Sequence, residues 1–100
     1  MVRFGRVDAN QKPIVRTLSS IPGVSVKVLS DVGKGMTDLL IGRMGINYLI
    51  ELKDGEKVKS KQKLTDDQVE FHSEHGWKGQ KAVCNCLEQV LEVIGITQGA

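Results

Sequence analysis

Two apolar runs, one in DLLIGR and one in INYLIELK, meet at Met44-Gly45. Runs of this kind, interrupted by two residues that include a Gly, read as a β-hairpin. The hairpin constrains the chain more than any other feature, because its register decides which side chains share a face, and a slip of one residue would reverse them all. Pairing symmetric about Met44-Gly45 sets Arg43 opposite Ile46, Ile41 opposite Tyr48 and Asp38 opposite Glu51. Directly opposed residues have Cβ atoms about 4.5–5.5 Å apart and project to one side of a sheet. With a side-chain period of two, Lys53 joins that side and Tyr48 turns to the other, towards the core. The expectation is one cluster of Asp38, Glu51 and Lys53 where the second strand leaves the core.

The remaining elements follow from periodicity and punctuation. DANQKPIVRTLSSIPG carries Ile14, Val15 and Leu18 at helical spacing. Asp8 or Asn10 can cap it, and Pro13 falls in its first turn. VSVKVLS, from Val24 to Ser30, alternates as a strand. MTDLLIGR and INYLIELK are the hairpin strands, and DGEKVKSKQK is a polar loop. LTDDQVEFHSEHG reads as a helix with Thr65 as N-cap and Gln68 three residues on, a capping box. QKAVCNC is a fourth strand. LEQVLEVIG is a last helix with a stripe of Leu87, Val90, Leu91 and Ile94, stopped by Gly95. The order is α-β-β-β-α-β-α, an α/β fold around a mixed central sheet, with residues 1–100 forming a single domain.

Like charges directly opposed destabilise a sheet, so the Asp38–Glu51 pair calls for an offset. A divalent cation supplies one. Carboxylate oxygens suit Mg²⁺ or Mn²⁺, which keep waters and accept a substrate phosphate, and such an ion activates water and polarises a phosphoryl oxygen. Lys53 beside it could orient the water or stabilise developing charge. The pattern therefore points to phosphodiester hydrolysis, with a solvated strand end as the plain alternative.

Composition narrows the classes. The chain is 40% hydrophobic and 26% charged, which argues for a folded domain rather than disorder. No apolar run approaches the ~20 residues of a membrane span, and MVRFGRVD lacks the apolar core of a secretory signal. The expectation is an intracellular protein without a membrane partner. A domain of this size buries only roughly 60–70% of its unfolded surface, so a homodimer is an economical way to enlarge the core. Cys84 and Cys86 form a lone C-x-C with no second pair to complete a zinc site, and both are expected to be reduced. Net charge is only +2, yet Lys53, Lys57, Lys59, Lys61 and Lys63 fall within eleven residues, the last four alternating. The last four, extended, would share a side and track a DNA backbone, giving affinity without sequence reading. DVGKGMT lacks the G-x-x-x-x-G-K-[ST] spacing of a phosphate loop. Lys34 within it is a candidate phosphate contact. His72 and His75 are not at metalloprotease spacing, and Trp77 is expected at a helix end or a dimer interface. No Ser-His-Asp order and no dinucleotide Gly motif is present, so no organic cofactor is expected.

GMTDLLIG followed by YLIELK resembles the D…(D/E)-x-K signature of the PD-(D/E)XK nuclease superfamily, here Asp38…Glu51-Leu52-Lys53. KLTDDQVEFH and WKGQKAVCNCLEQVLEVIG are similar to the small stand-alone VRR-NUC (virus-type replication-repair) nucleases of phages and bacteria. The resemblance runs from about Arg6 to Ile94. It implies a restriction-endonuclease-like core with Asp38, Glu51 and the main-chain carbonyl of Leu52 as ligands to Mg²⁺ or Mn²⁺. It also implies Lys53 as the catalytic lysine and Gln68 as an active-site glutamine, a role expected to compete with the capping box. Thr37 stands where the superfamily has proline. Many relatives also carry a glutamate in the first helix that completes the metal shell. Here only Asp8 lies near that helix start as a candidate, with Asn10 and Gln11 following. The implied activity is a DNA endonuclease acting on branched DNA, a four-way junction above all. A flap-type nuclease and a non-catalytic nucleic-acid-binding module are the alternatives.

Overall fold

The computed structural model describes residues 10–33, 35–54 and 63–97. The elements are α1 (Gln11–Ser19), β1 (Val24–Val28), β2 (Leu39–Arg43), β3 (Ile46–Leu52), α2 (Asp66–His72), β4 (Lys81–Cys84) and α3 (Leu87–Val93). The order is the one expected from the sequence. Four strands form one mixed sheet in the order β1-β2-β3-β4: β1, β2 and β3 are antiparallel neighbours, and β4 joins β3 in parallel. Parallel neighbours need a crossover, and α2 lies in the connection between β3 and β4.

The hairpin has the expected register. Arg43 pairs with Ile46, Ile41 with Tyr48 and Leu39 with Ile50. Its turn places Met44 at φ 53° and Gly45 at φ 80°. Two successive positive φ values are what a two-residue hairpin turn needs to match strand twist. Gly45 adopts this without cost, whereas Met44 carries a Cβ into the left-handed region.

Strand alternation divides the sheet into two faces. Leu39, Ile41, Tyr48, Ile50, Leu52 and Cys84 face α1 and α3, and pack with Ile14, Leu18, Val90, Leu91 and Ile94 into one core. Leu18, Ile41, Ile50 and Val90 are fully buried. Tyr48 thus lies in the core, as the register required. The opposite face carries Leu49 and Glu51, the latter touched by α2 through Gln68.

Several boundaries differ from the sequence reading. β2 begins at Leu39 rather than Met36, and α2 ends at His72 rather than near Gly76. α1 begins at Gln11, and Asn10 sits at its N-cap position without a side-chain capping bond. Its backbone is helical (φ −81°, ψ −6°), and its Nδ2 donates instead to the carbonyls of Lys53 (3.3 Å) and Asn85 (3.1 Å). Asn10 therefore ties the start of α1 to the ends of β3 and β4. Cys84 is buried and Cys86 half-buried, both as free thiols, and burial pushes the Cys84 thiol up to about 11. No helix of the described residues is long and apolar enough to cross a membrane.

Met44 is 81% exposed, so changing it disturbs no packing. Met44→Asn is expected to stabilise the protein by about 1 kcal/mol, because Asn tolerates the left-handed conformation. Thermal unfolding checks this: at this chain length the midpoint should rise by roughly 4–8 °C.

Candidate active site

The site is built where the β2–β3 ladder ends. Beyond the Leu39–Ile50 pair the Leu52 N–H points towards β2, and the acceptor it meets is a side chain: Asp38 Oδ2, at 2.8 Å. The main-chain carbonyl of Asp38 is used on the other side, accepting the Leu29 N–H at 2.7 Å. Asp38 is thus fixed between the ends of β1 and β3 and is 8% exposed. Its carboxylate reaches the Leu52 N–H, on the residue between Glu51 and Lys53 in the chain. The Leu52 carbonyl leaves β3 on the same side as the Leu52 N–H, because both groups of a strand residue face one neighbour.

Glu51 is 2% exposed, on the face opposite the main core. A buried carboxylate needs donors. Gln68 Nε2 donates to its Oε2 at 2.9 Å, and Lys53 Nζ lies 4.0 Å from the same oxygen. Lys53 in turn donates to Gln68 Oε1 at 3.0 Å. Its side chain is 13% exposed, so this ammonium is held and partly desolvated rather than free in solvent.

The sequence reading sets capping and a place beside Glu51 and Lys53 as competing roles for Gln68, yet Gln68 caps the helix and also bonds both charged groups. Its Oε1 accepts the Thr65 N–H at 2.9 Å as well as the Lys53 ammonium, while its own N–H donates to Thr65 Oγ1 at 3.3 Å. The capping box is complete. The roles do not compete, because the cap and Lys53 use the carboxamide oxygen and Glu51 uses the nitrogen. Only this amide orientation works: reversed, an NH₂ group would face two donors. The N-terminus of α2 is therefore built on the Glu51–Lys53 pair.

The loop carrying Asp38 also leans on α2. Gly35 has φ +81°, and a Cβ there would lie 2.7 Å from the Asp67 carbonyl oxygen and 2.8 Å from Asp67 Cβ. Only glycine allows this approach, which brings the segment before Asp38 against the turn that holds Gln68.

Sequence reasoning passed over one participant. Gln11, on α1, is 4% exposed. Its Nε2 lies 3.2 Å from Ser30 Oγ, its Oε1 lies 3.3 Å from the same hydroxyl, and Ser30 Oγ lies 3.5 Å from Asp38 Oδ1. The signal was available: Gln11 is in helical register with the buried Ile14 and Leu18, and a polar residue in an apolar stripe requires a partner.

The other candidates divide. Lys63 is exposed just before α2. Asp8, Lys34, Lys57, Lys59 and Lys61 lie outside the described residues. Trp77 stacks on Phe71 with ring centroids 5.8 Å apart, at the end of α2. His75 is exposed beside Glu74. His72 meets the edge of Phe71, and its pKa is lowered, first by burial and then by the charge of Lys81. A helix C-terminus would ordinarily favour a cation there. That place is taken, because Lys81 Nζ donates to the carbonyls of Phe71 (3.2 Å), Ser73 (2.6 Å) and Trp77 (2.7 Å).

As a donor set, the site offers two buried carboxylates and a strand-end carbonyl. Among the described residues no group of three or more His, Cys, Asp and Glu side chains is gathered as a metal cage. The set nevertheless fits Mg²⁺ or Mn²⁺, which bind through one or two carboxylates and complete their shells with water and phosphate. Three of the exposed residues of α2, Asp66, Asp67 and Glu70, are acidic, with Val69 exposed among them, so a polyanion would meet repulsion along that helix and less of it from the β1–β2 side. A cavity of about 480 Å³ lined by Asn10, Pro13, Ile14, Asp54, Asn85, Cys86 and Leu87 lies where β3 and β4 end beside α1 and α3, and none of the cluster residues lines it. No protein-family model, curated protein or solved structure matches the chain.

Thr65→Ala should cost about 1 kcal/mol by removing the cap. Gln68→Ala should cost more, about 2 kcal/mol, because bonds to two charged groups go with it. The double variant should fall short of the sum, as expected of residues sharing bonds; urea unfolding of the three variants checks this. His72 gives a second expectation. The fold favours its neutral form, so the unfolded chain binds the additional proton. Stability should be intact above the ordinary pKa of 6.5 and decline as the pH falls through 6.5 towards the lower folded value. His72→Gln should flatten that part of the profile, read as urea midpoints between about pH 8 and about pH 5.

Proposed function

We propose that this chain is a metal-dependent endonuclease with a PD-(D/E)XK core of the VRR-NUC type, acting on branched DNA. The observation that carries the reading is the hydrogen-bonded cluster at the end of β3. Asp38 is bonded to Leu52 N–H, Glu51 to Gln68 Nε2, and Lys53 to Gln68 Oε1, with all three charged groups sharply limited in exposure. A solvated strand end would not hold two carboxylates and an ammonium in this way, since ordering such groups costs entropy and desolvation.

Asp38, Glu51 and the Leu52 carbonyl would hold Mg²⁺ or Mn²⁺. When bound, that ion supplies Lewis-acid polarisation of the phosphate and an activated water. The protein's own groups do the rest. Lys53 presents a fixed positive charge beside Glu51, positioned to stabilise negative charge developing on the phosphoryl oxygens. Gln68 orders that ammonium through its carbonyl oxygen and holds Glu51 through its nitrogen, so the catalytic geometry is set before substrate arrives. In the hydrolysis a water oxygen forms a new bond to phosphorus as the bond to one ester oxygen breaks, leaving a phosphate end and a sugar hydroxyl. Lys53, Lys63 and the lysines between them in the chain would lead the backbone to the site.

The substrate proposed is a four-way junction, cut by a homodimer. A two-fold pair of such small domains sets two sites symmetrically, as paired incision of a two-fold junction requires. One observation favours a second reading. The described residues bring no third acid to the cluster, which suits a module that binds structured DNA without cutting it.

Cleavage of a labelled four-way junction, against a linear duplex of the same sequence, in Mg²⁺ and in Mn²⁺ tests both. The expected result is symmetric nicks near the crossover. Glu51→Ala, Asp38→Asn and Lys53→Met should each lose at least about 10²-fold in rate. Tight junction binding in chelator, with no cleavage by the wild type in either metal, would replace the nuclease with the binding module.

A further inference from the structure

We propose that Gln11 and Ser30 are positioning residues for Asp38, forming a directed hydrogen-bond relay from α1 through the end of β1 to the carboxylate. The inference rests on reading Asp38 as a metal-binding carboxylate, and it concerns what sets that carboxylate before any ion is bound.

The argument begins with burial. Gln11 is 4% exposed on the core-facing side of α1, and a buried carboxamide without partners is costly. The partner it meets is Ser30 Oγ, which lies within hydrogen-bond distance of both ends of the amide. The hydroxyl has one proton to give and can accept in return. Gln11 Nε2 can only donate, so Ser30 Oγ accepts at 3.2 Å. The hydroxyl proton then has two possible acceptors, Gln11 Oε1 at 3.3 Å and Asp38 Oδ1 at 3.5 Å. A carboxylate is the stronger acceptor, and a hydroxyl whose oxygen already accepts a bond is a better donor. The proton therefore goes to Asp38, although that contact is at the outer limit of hydrogen-bond length.

The consequence lies at the other oxygen. Asp38 Oδ2 accepts the Leu52 N–H at 2.8 Å. With a donor on each oxygen the carboxylate is fixed in rotation as well as in place. With one donor only, it can turn about its terminal torsion, which is broad for Asp. Two sequence-distant residues, one on each side of β1, thus fix the plane in which Asp38 offers its electrons. The relay also joins α1 to the Asp38 carboxylate, whereas the Asn10 contact from the start of the same helix reaches only the main-chain carbonyl of Lys53 in the cluster.

The test is hydrogen exchange of the Leu52 amide in the metal-free protein, measured by NMR and expressed relative to the Ile50 amide so that global destabilisation cancels. Ser30→Ala and Gln11→Leu should each speed Leu52 exchange by about 10-fold relative to Ile50, the effect of loosening one charged hydrogen bond. Ser30→Thr, which keeps the hydroxyl, should restore slow exchange. The double variant should match either single one, since the links act in series. The same variants should weaken Mn²⁺ binding, read by the loss of the free-ion paramagnetic resonance signal, by several-fold. An unchanged Leu52-to-Ile50 ratio in Ser30→Ala would overturn the relay, whatever the protein cleaves, and would mean that the hydroxyl serves Gln11 instead. A wild type that cleaves no DNA would count against the nuclease reading alone, with the exchange ratio still deciding the relay.

Discussion

The Leu52 N–H to Asp38 Oδ2 bond, 2.8 Å long, is where a hairpin stops being only a hairpin. Up to Leu39–Ile50 the two strands pair as backbone. One step further the backbone donor of β3 is satisfied by a side chain, and the ladder ends in a carboxylate. That exchange fixes Asp38 against the one strand that also carries Glu51 and Lys53. The remainder of the local structure follows from the presence of these buried charges. Glu51 needs a donor and finds Gln68. Lys53 needs acceptors and finds the same carboxamide beside Glu51. Gln68 can stay in place because Thr65 caps the helix around it.

The energetic logic is that of a buried polar network. Each member would be costly alone, and the whole is tolerable only because every charge has a specified partner. The hairpin register sets which charges meet, α2 supplies the neutral amide that lies between them, and Gly35 permits the β1–β2 loop to approach that helix closely. The far end of α2 is closed by Lys81, whose ammonium takes three main-chain carbonyls. A helix of seven residues has too few internal bonds to be stable alone. Here it is fixed at one end by the acidic site and at the other by a lysine of the neighbouring strand.

What could be read from the sequence was what depends on local period and near neighbours. The element order, the register about Met44-Gly45, the Thr65–Gln68 box, the α3 stripe and the core position of Tyr48 follow from patterns spanning a few residues. What could not be read joins residues far apart in the chain. Asn10 reaches carbonyls 43 and 75 positions away, so its letter suggested a helix cap when its function is to bind strand ends. The Lys81 contacts depend on how the chain turns after α2, which no periodicity reports. The double bonding of Gln68 is not legible for another reason: a capping box and a bond to a buried charge read as alternatives, whereas a carboxamide has two different ends.

That property also explains why an amide stands at two places around the carboxylates. Gln11 and Gln68 both present a donor and an acceptor from one uncharged group, and both approach from helices on opposite faces of the sheet. A lysine or arginine at either place would neutralise a carboxylate and compete with a divalent ion for it. A further acid would add to a repulsion already offset by one lysine. A neutral amide orients its charged neighbour, directly or through a hydroxyl, without changing the net charge of the site. The cluster of Asp38, Glu51 and Lys53 thus keeps a single excess negative charge, held by groups that contribute geometry alone. Such a site keeps its attraction for a cation and spends none of it on its own support.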